Sequence, residues 1–226
     1  MTSQIRVLLV DDQELIRLGF RMVLESEPDI VVVGEARDGN AAIAQSTALA
    51  PDLVLMDIRM PELDGIAATA AIVRAHPETR VLVLTTFDLD EYAFGAIRAG
   101  ASGFLLKDAQ RHEMLSAVRA VHRGDAALSP RITRLLLQHV GPGLDAATPS
   151  PAPDDADRAR YETLTDRERE VFLAIGRGLT NAEIAQTLWV GESTVKTHVG
   201  RVLAKLDARD RIHAVILAHR LGLVGG

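Results

Sequence analysis

The sequence contains no cysteine, which excludes a disulfide scaffold and any thiolate metal or redox site. Aromatic residues make up only 4%, so Leu, Val, Ile and Ala must build the core. No apolar run approaches the roughly 18 residues that a membrane span needs. The first residues, Met1 to Arg6, carry no long apolar stretch, so no secretion signal is expected and a cytoplasmic location is. What remains is a chain of 226 residues, 47% apolar and 25% charged. That length suits two domains, and that balance suits folded ones.

The net charge of −6 argues against a general nucleic-acid coat, yet it is unevenly spread. Residues 1–130 hold 12 basic and 19 acidic side chains, net −7. Residues 131–160 hold 4 of each, and residues 161–226 hold 9 and 8, net +1. Within the last part, residues 192–220 hold 6 basic and 3 acidic side chains, net +3. A locally basic C-terminus behind an acidic N-terminal part hints at nucleic-acid contact there.

The first 125 residues alternate short apolar runs with helical patterns. The runs are Ile5–Val10, Ile30–Gly34, Leu53–Met56, Val81–Leu84 and Gly103–Leu106. Such runs read as buried parallel strands in βαβ units. The expected fold is an α/β flavodoxin-like, doubly wound, five-stranded parallel sheet with strand order 2-1-3-4-5. Ligands of that architecture bind beyond the carboxyl ends of the strands. Asp11 and Asp12 follow the first expected strand, and Asp57 follows the third. Strands 1 and 3 are neighbours in that order, so the three carboxylates converge. Uncompensated carboxylates repel, and a set with open positions suits Mg²⁺. Thr85 and Lys107 end the fourth and fifth strands at the same edge, where a hydroxyl and an ammonium suit a phosphoryl group.

Leu8-Leu9-Val10-Asp11-Asp12, the stretch from Leu55 through Asp57 and Pro61 to Gly65, Leu84-Thr85-Thr86 and Phe104-Leu105-Leu106-Lys107-Asp108 resemble the receiver domain of bacterial two-component response regulators. The resemblance implies that Asp57 accepts a phosphoryl group from a sensor histidine kinase. It implies that Asp11, Asp12, Asp57 and the main-chain carbonyl of Arg59 hold Mg²⁺, and that Lys107 pairs with the phosphoryl oxygens. Thr85 and Phe104 stand at its switch positions. Phe104 has no phenolic hydroxyl, so switching here is by packing. Asp108 replaces the proline that often follows the lysine.

A short helix is expected after Ser129-Pro130, then a flexible segment, Gly141–Asp157, with four prolines. Beyond it the pattern is helical. Thr165…Glu168 and Thr180…Glu183 read as capping boxes. Gly191 opens a third helix as an N-cap without a side chain, and Val195, Val199, Val202 and Leu206 form its core stripe. Its opposite face carries Lys196, Thr197, Gly200 and Arg201, suited to base edges and phosphates, with Lys205 further along for phosphate. These strings are similar to the LuxR-type helix-turn-helix, and the whole chain is similar to the NarL/FixJ subfamily. Gly191, Gly200 and Asp207 depart from its usual residues.

The expected organisation is a receiver over 1–125, a linker over 126–160, and an all-α, four-helix DNA-binding domain over 161–226. In the last helix Ile212, Val215 and Ile216 are assigned to the domain, and Ala214, Leu217, Ala218 and Leu221 to a homodimer contact. The implied function is a phosphorylation-controlled transcription factor, not an enzyme, with promoter DNA and RNA polymerase as partners. An atypical regulator that binds DNA without phosphorylation is the alternative, and an aspartate-based phosphatase is a further rival. No GxxxxGK[ST] or GxGxxG loop is present.

Overall fold

The computed structural model describes residues 4–85, 89–125 and 155–224. The chain divides into two units at Ser129/Pro130. In the first, strands β1 (Ile5–Val10), β2 (Ile30–Ala36), β3 (Leu53–Asp57), β4 (Arg80–Thr85) and β5 (Gly103–Leu106) alternate with helices α1 (Glu14–Glu25), α2 (Gly39–Leu49), α3 (Gly65–Ala75), α4 (Leu89–Arg98) and α5 (Arg111–His122). The sheet is parallel, in the order β2-β1-β3-β4-β5, as expected. Every residue of β3 is buried, because a central parallel strand is covered on both faces. Asp38 and Asp64 cap α2 and α3 by accepting hydrogen bonds from the amides of Ala41 and Ala67, both at 2.8 Å. These caps set where each helix leaves the site edge.

Register aligns the strand ends. Val10 pairs with Met56, Asp57 with Leu84, and Thr85 with Leu106. The residues one step beyond, Asp11, Asp57 and Lys107, therefore emerge along one edge of the sheet.

The second unit contains α6 (Asp155–Glu162), α7 (Asp166–Gly176), α8 (Asn181–Leu188), α9 (Glu192–Leu206) and α10 (Arg211–Arg220). The last four match the four expected helices, and both capping boxes are formed. The stripe Val195, Val199, Val202 and Leu206 is buried against Phe172 and Ile175 of α7 and Ile184 of α8. Helix α6 lies where the linker was expected to run to residue 160. Asp155 and Asp157 favour its first turn. Arg160 pairs with Asp157 and Asp207, and the Tyr161 ring packs 5.9 Å from that of Phe172. The expected short helix after Ser129 and the proline-rich stretch up to Asp154 lie outside the described residues.

The expected division of the last helix is corrected. Ala214, Leu217, Ala218 and Leu221 are buried in the core of their own unit, while Ile216 is only partly buried. They pack in the core with α7, whose Gly176 presents no side chain and lets Ala218 approach closely. Lys205 is also committed inside the unit. Its ammonium meets the Glu168 carboxylate at 2.6 Å and the Thr163 carbonyl at 3.3 Å. Glu168 in turn accepts from the Thr165 amide, so the ion pair locks the capping box of α7 to the far end of α9.

The Lys205 hydrogen bond and the Thr165 amide hold the Glu168 carboxyl at about 2, below its usual 4.5. A carboxyl lowered in the folded state stabilises above its unfolded pKa, and that stability is lost as pH falls through the folded value. The helical unit is expected to lose stability between pH 4.5 and about 2. Thermal melts of wild type and Lys205→Met across that window check this. The variant is expected to show a shallower pH dependence.

Candidate functional site

Asp11 sits directly after β1. Its amide donates to the Ala36 carbonyl at 3.1 Å, its Oδ1 accepts from the Gln13 amide at 2.9 Å, and its carbonyl accepts from Arg17 Nη1 at 2.8 Å. Arg17 is itself paired with Glu35 of β2 at 3.0 Å, so α1 and β2 together orient Asp11. This brace was not singled out from the sequence. Its signal is the positive pair Arg17 and Arg21, one turn apart on α1, both meeting Glu35.

Asp57 ends β3. The amide of Gly65 donates to the Ile58 carbonyl at 2.9 Å, and a Cβ at Gly65 would overlap the carbonyl oxygen of Asp57. The turn that presents Asp57 thus requires glycine at its far side. Arg59 lies on the same turn and lines an open recess of ≈ 450 Å³ with Met60, Asp64 and Tyr92.

Lys107 leaves β5 with its amide donating to the Thr85 carbonyl at 2.7 Å. Its long side chain crosses the end of β4. The ammonium lies 2.6 Å from Asp11 Oδ2 and 2.9 Å from Asp57 Oδ2. All three side chains are nearly inaccessible, and Asp12 beside them is exposed. Burial pushes the Asp57 carboxyl above the usual carboxylate range, against the pull of Lys107. Burial alone pulls the Lys107 ammonium down, but its bonds to Asp11 and Asp57 outweigh that and hold it above its ordinary value.

The structure brings Asp11, Asp12, Asp57 and Lys107 together. One oxygen from each carboxylate lies within 4.8 Å of the others. Three carboxylates and one ammonium leave a formal net charge of −2, open to solvent on the Asp12 side. An all-oxygen donor set with that deficit fits a hard divalent cation. Thr85 and Phe104 are both buried, with Phe104 opposite Val83 on β4.

In the second unit Lys196, Thr197, Gly200 and Arg201 are all exposed, on the side of α9 away from its buried stripe. Lys196 pairs with Glu192 at 3.2 Å, and Thr197 Oγ1 donates to the Ser193 carbonyl at 3.1 Å. Nothing lies within 4 Å of a Cβ built at Gly200, and Gly191 supplies no side-chain cap, as expected. Arg211 donates to Asn181 Oδ1 at 2.9 Å and to the Leu179 carbonyl, fixing α8 against α10.

Comparison with known proteins accounts for both units. Residues 7–119 match the family model of the response regulator receiver domain, and residues 162–218 match that of the bacterial regulatory proteins of the luxR family. The chain is 44% identical over 222 residues to the uncharacterized transcriptional regulatory protein YxjL of Bacillus subtilis (strain 168), covering 98% of each. It is 39% identical to the transcriptional regulatory protein LiaR of the same organism, covering 97% of this chain and 99% of that one. The crystal structure of the response regulator ChrA, of a heme-sensing two-component system, is 35% identical with a TM-score of 0.52 and covers 99% of this chain and 100% of its own. The chain belongs to the response regulators that join a receiver domain to a luxR-family DNA-binding domain, a two-component regulator of transcription and not an enzyme.

Proposed function

We propose that Asp57 is the phosphoacceptor and that its phosphorylation controls DNA binding by the face of α9 bearing Lys196, Thr197, Gly200 and Arg201. The observation that carries this reading is the Lys107 ammonium held 2.6 Å from Asp11 and 2.9 Å from Asp57, in a cluster left at −2. Asp11, Asp12 and Asp57, with the Arg59 carbonyl, would hold Mg²⁺. Bound there, the ion supplies neutralising charge to phosphoryl oxygens.

An Asp57 carboxylate oxygen attacks the phosphorus of a phosphohistidine on the sensor kinase. The P–N bond breaks, an acyl phosphate forms, and the bond's electron pair leaves on the imidazole nitrogen, whose ring keeps the proton on its other nitrogen. Lys107 remains as a point charge beside the transferred group. The Thr85 hydroxyl donates a hydrogen bond to it, and Phe104 repacks into the space Thr85 vacates. The altered surface around α4 carries the signal onward. The DNA-binding unit engages promoter DNA as a homodimer on paired half-sites and acts on RNA polymerase. The contact between copies uses surfaces other than Ala214, Leu217, Ala218 and Leu221, which the domain core occupies. A cytoplasmic site fits this role, and no helix among the described residues is long and apolar enough to cross a membrane.

Intact-mass measurement after incubation with a small phosphodonor and Mg²⁺ tests the acceptor. A phosphoryl adduct is expected on wild type and absent from Asp57→Asn. Wild type without an adduct, with magnesium binding intact, would favour an atypical regulator that needs no phosphorylation. Gly65→Ala is expected to cost about 1–3 kcal/mol of stability and to reduce adduct formation, because its Cβ displaces the Asp57 carbonyl. Thermal melts and the same mass assay read both effects. On the DNA side, replacing Lys196 and Arg201 together by Ala is expected to weaken binding to a duplex by about tenfold or more, with circular dichroism unchanged.

A further inference from the structure

Trp189 is the one tryptophan of the chain, and it is 93% exposed. It ends α8 in the left-handed region, at φ 54 and ψ 45. A bulky side chain rarely adopts that backbone, where glycine or asparagine is usual. The left-handed backbone, shared with Ala50, Glu62 and Asp207, costs stability, and the exposed indole returns little packing to the domain. The neighbours on either side are anchored: Leu188 and Val190 pack against the core, and the Val190 amide donates to the Ala185 carbonyl at 3.0 Å. From behind, Arg167 Nη2 donates to the Leu188 carbonyl at 2.8 Å. The turn is thus rigid, and it holds a strained, solvent-facing indole two residues before Gly191, where α9 begins. What sets Trp189 apart from the other left-handed caps is its large exposed ring, held beside the start of α9.

We propose that Trp189 is a DNA-contact residue whose ring packs on a deoxyribose of the backbone at the edge of the groove that α9 enters, with its Nε1–H donating to a phosphate oxygen. This rests on the proposed DNA-binding role of α9. The first turn of a recognition helix lies in the major groove, so the turn just before it meets the flanking backbone. Indole suits that contact: it offers a large rigid apolar face and a single donor, with no acceptor for a phosphate to repel. Gly191, two residues on, carries no side chain that could stand between the ring and an approaching strand. A contact to sugar and phosphate reads no base, so it raises affinity for all sequences alike.

Because no other tryptophan is present, its fluorescence reports on this ring alone. Full-length protein, phosphorylated with a small phosphodonor and Mg²⁺ and checked by intact mass, is titrated with a short random-sequence DNA duplex at low salt, following both duplex anisotropy and tryptophan emission. Wild type is expected to bind with quenching of the indole. Trp189→Gly is expected to melt at a higher temperature, because glycine accepts the backbone, yet to bind about fivefold to tenfold more weakly. Trp189→Phe is expected to recover part of that loss, keeping the apolar face without the donor. Wild-type binding with unchanged emission, together with unchanged affinity of Trp189→Gly, would overturn the proposal. So would an emission change that follows protein concentration without DNA, which would place the ring against a second copy. No anisotropy change with wild type would instead overturn the DNA-binding reading on which the proposal rests.

Discussion

The ammonium of Lys107, held between Asp11 and Asp57, is the interaction on which the receiver unit turns. It ties the end of β5 to the ends of β3 and β1 across the sheet, so it binds the Asp57 loop and the acidic loop into one site. A buried triad of two carboxylates and one ammonium is still short of one positive charge. Asp12 at the solvent side widens the deficit to −2. Such a site is tolerable only if a cation completes it or a phosphoryl group with its cation later does. Several neighbouring residues hold the site together. Arg17 and Glu35 brace Asp11, Gly65 lets the chain pass the Asp57 carbonyl, and Thr85 anchors the amide of Lys107.

The helical unit solves a different problem. It must keep one face of α9 bare while remaining folded without many aromatics. The apolar stripe of α9, Phe172 and the buried face of α10 form the core, and capping boxes secure α7 and α8. The ion pair of Lys205 with Glu168 then joins the last turn of α9 to the first turn of α7. A residue that looked free to meet phosphate is thus a structural clamp. The bare face keeps Gly200, which gives up helix stability by roughly 0.5–1 kcal/mol relative to Ala. It also keeps Gly191, which gives up a cap hydrogen bond.

Much of this was legible in the chain itself, for physical reasons that differ between residues. The strand runs and the placement of Asp11, Asp57, Thr85 and Lys107 at their ends could be read because a parallel sheet puts strand ends at one edge. The capping boxes could be read because their chemistry spans only three residues. The fate of α10 could not. Ala214, Leu217, Ala218 and Leu221 are apolar like Ile212, and only the folded unit shows that these residues are buried together, Ala218 by the close approach that Gly176 on another helix allows. Lys205 was misleading for the same reason, since Glu168 lies 37 residues away in sequence. Helix α6 was hidden because prolines before it dominate the local composition. Trp189 carried no signal in its spacing, and its left-handed backbone emerges only from the turn it closes.

The central claim is that Lys107 occupies charge space that a divalent cation shares. The most direct test is a calorimetric titration of Mg²⁺ into wild type and Lys107→Met. Removing the ammonium takes the cluster from −2 to −3, and it frees Asp11 Oδ2. The account predicts that Lys107→Met binds Mg²⁺ more tightly, by about tenfold or more. Equal or weaker binding by the variant would contradict it.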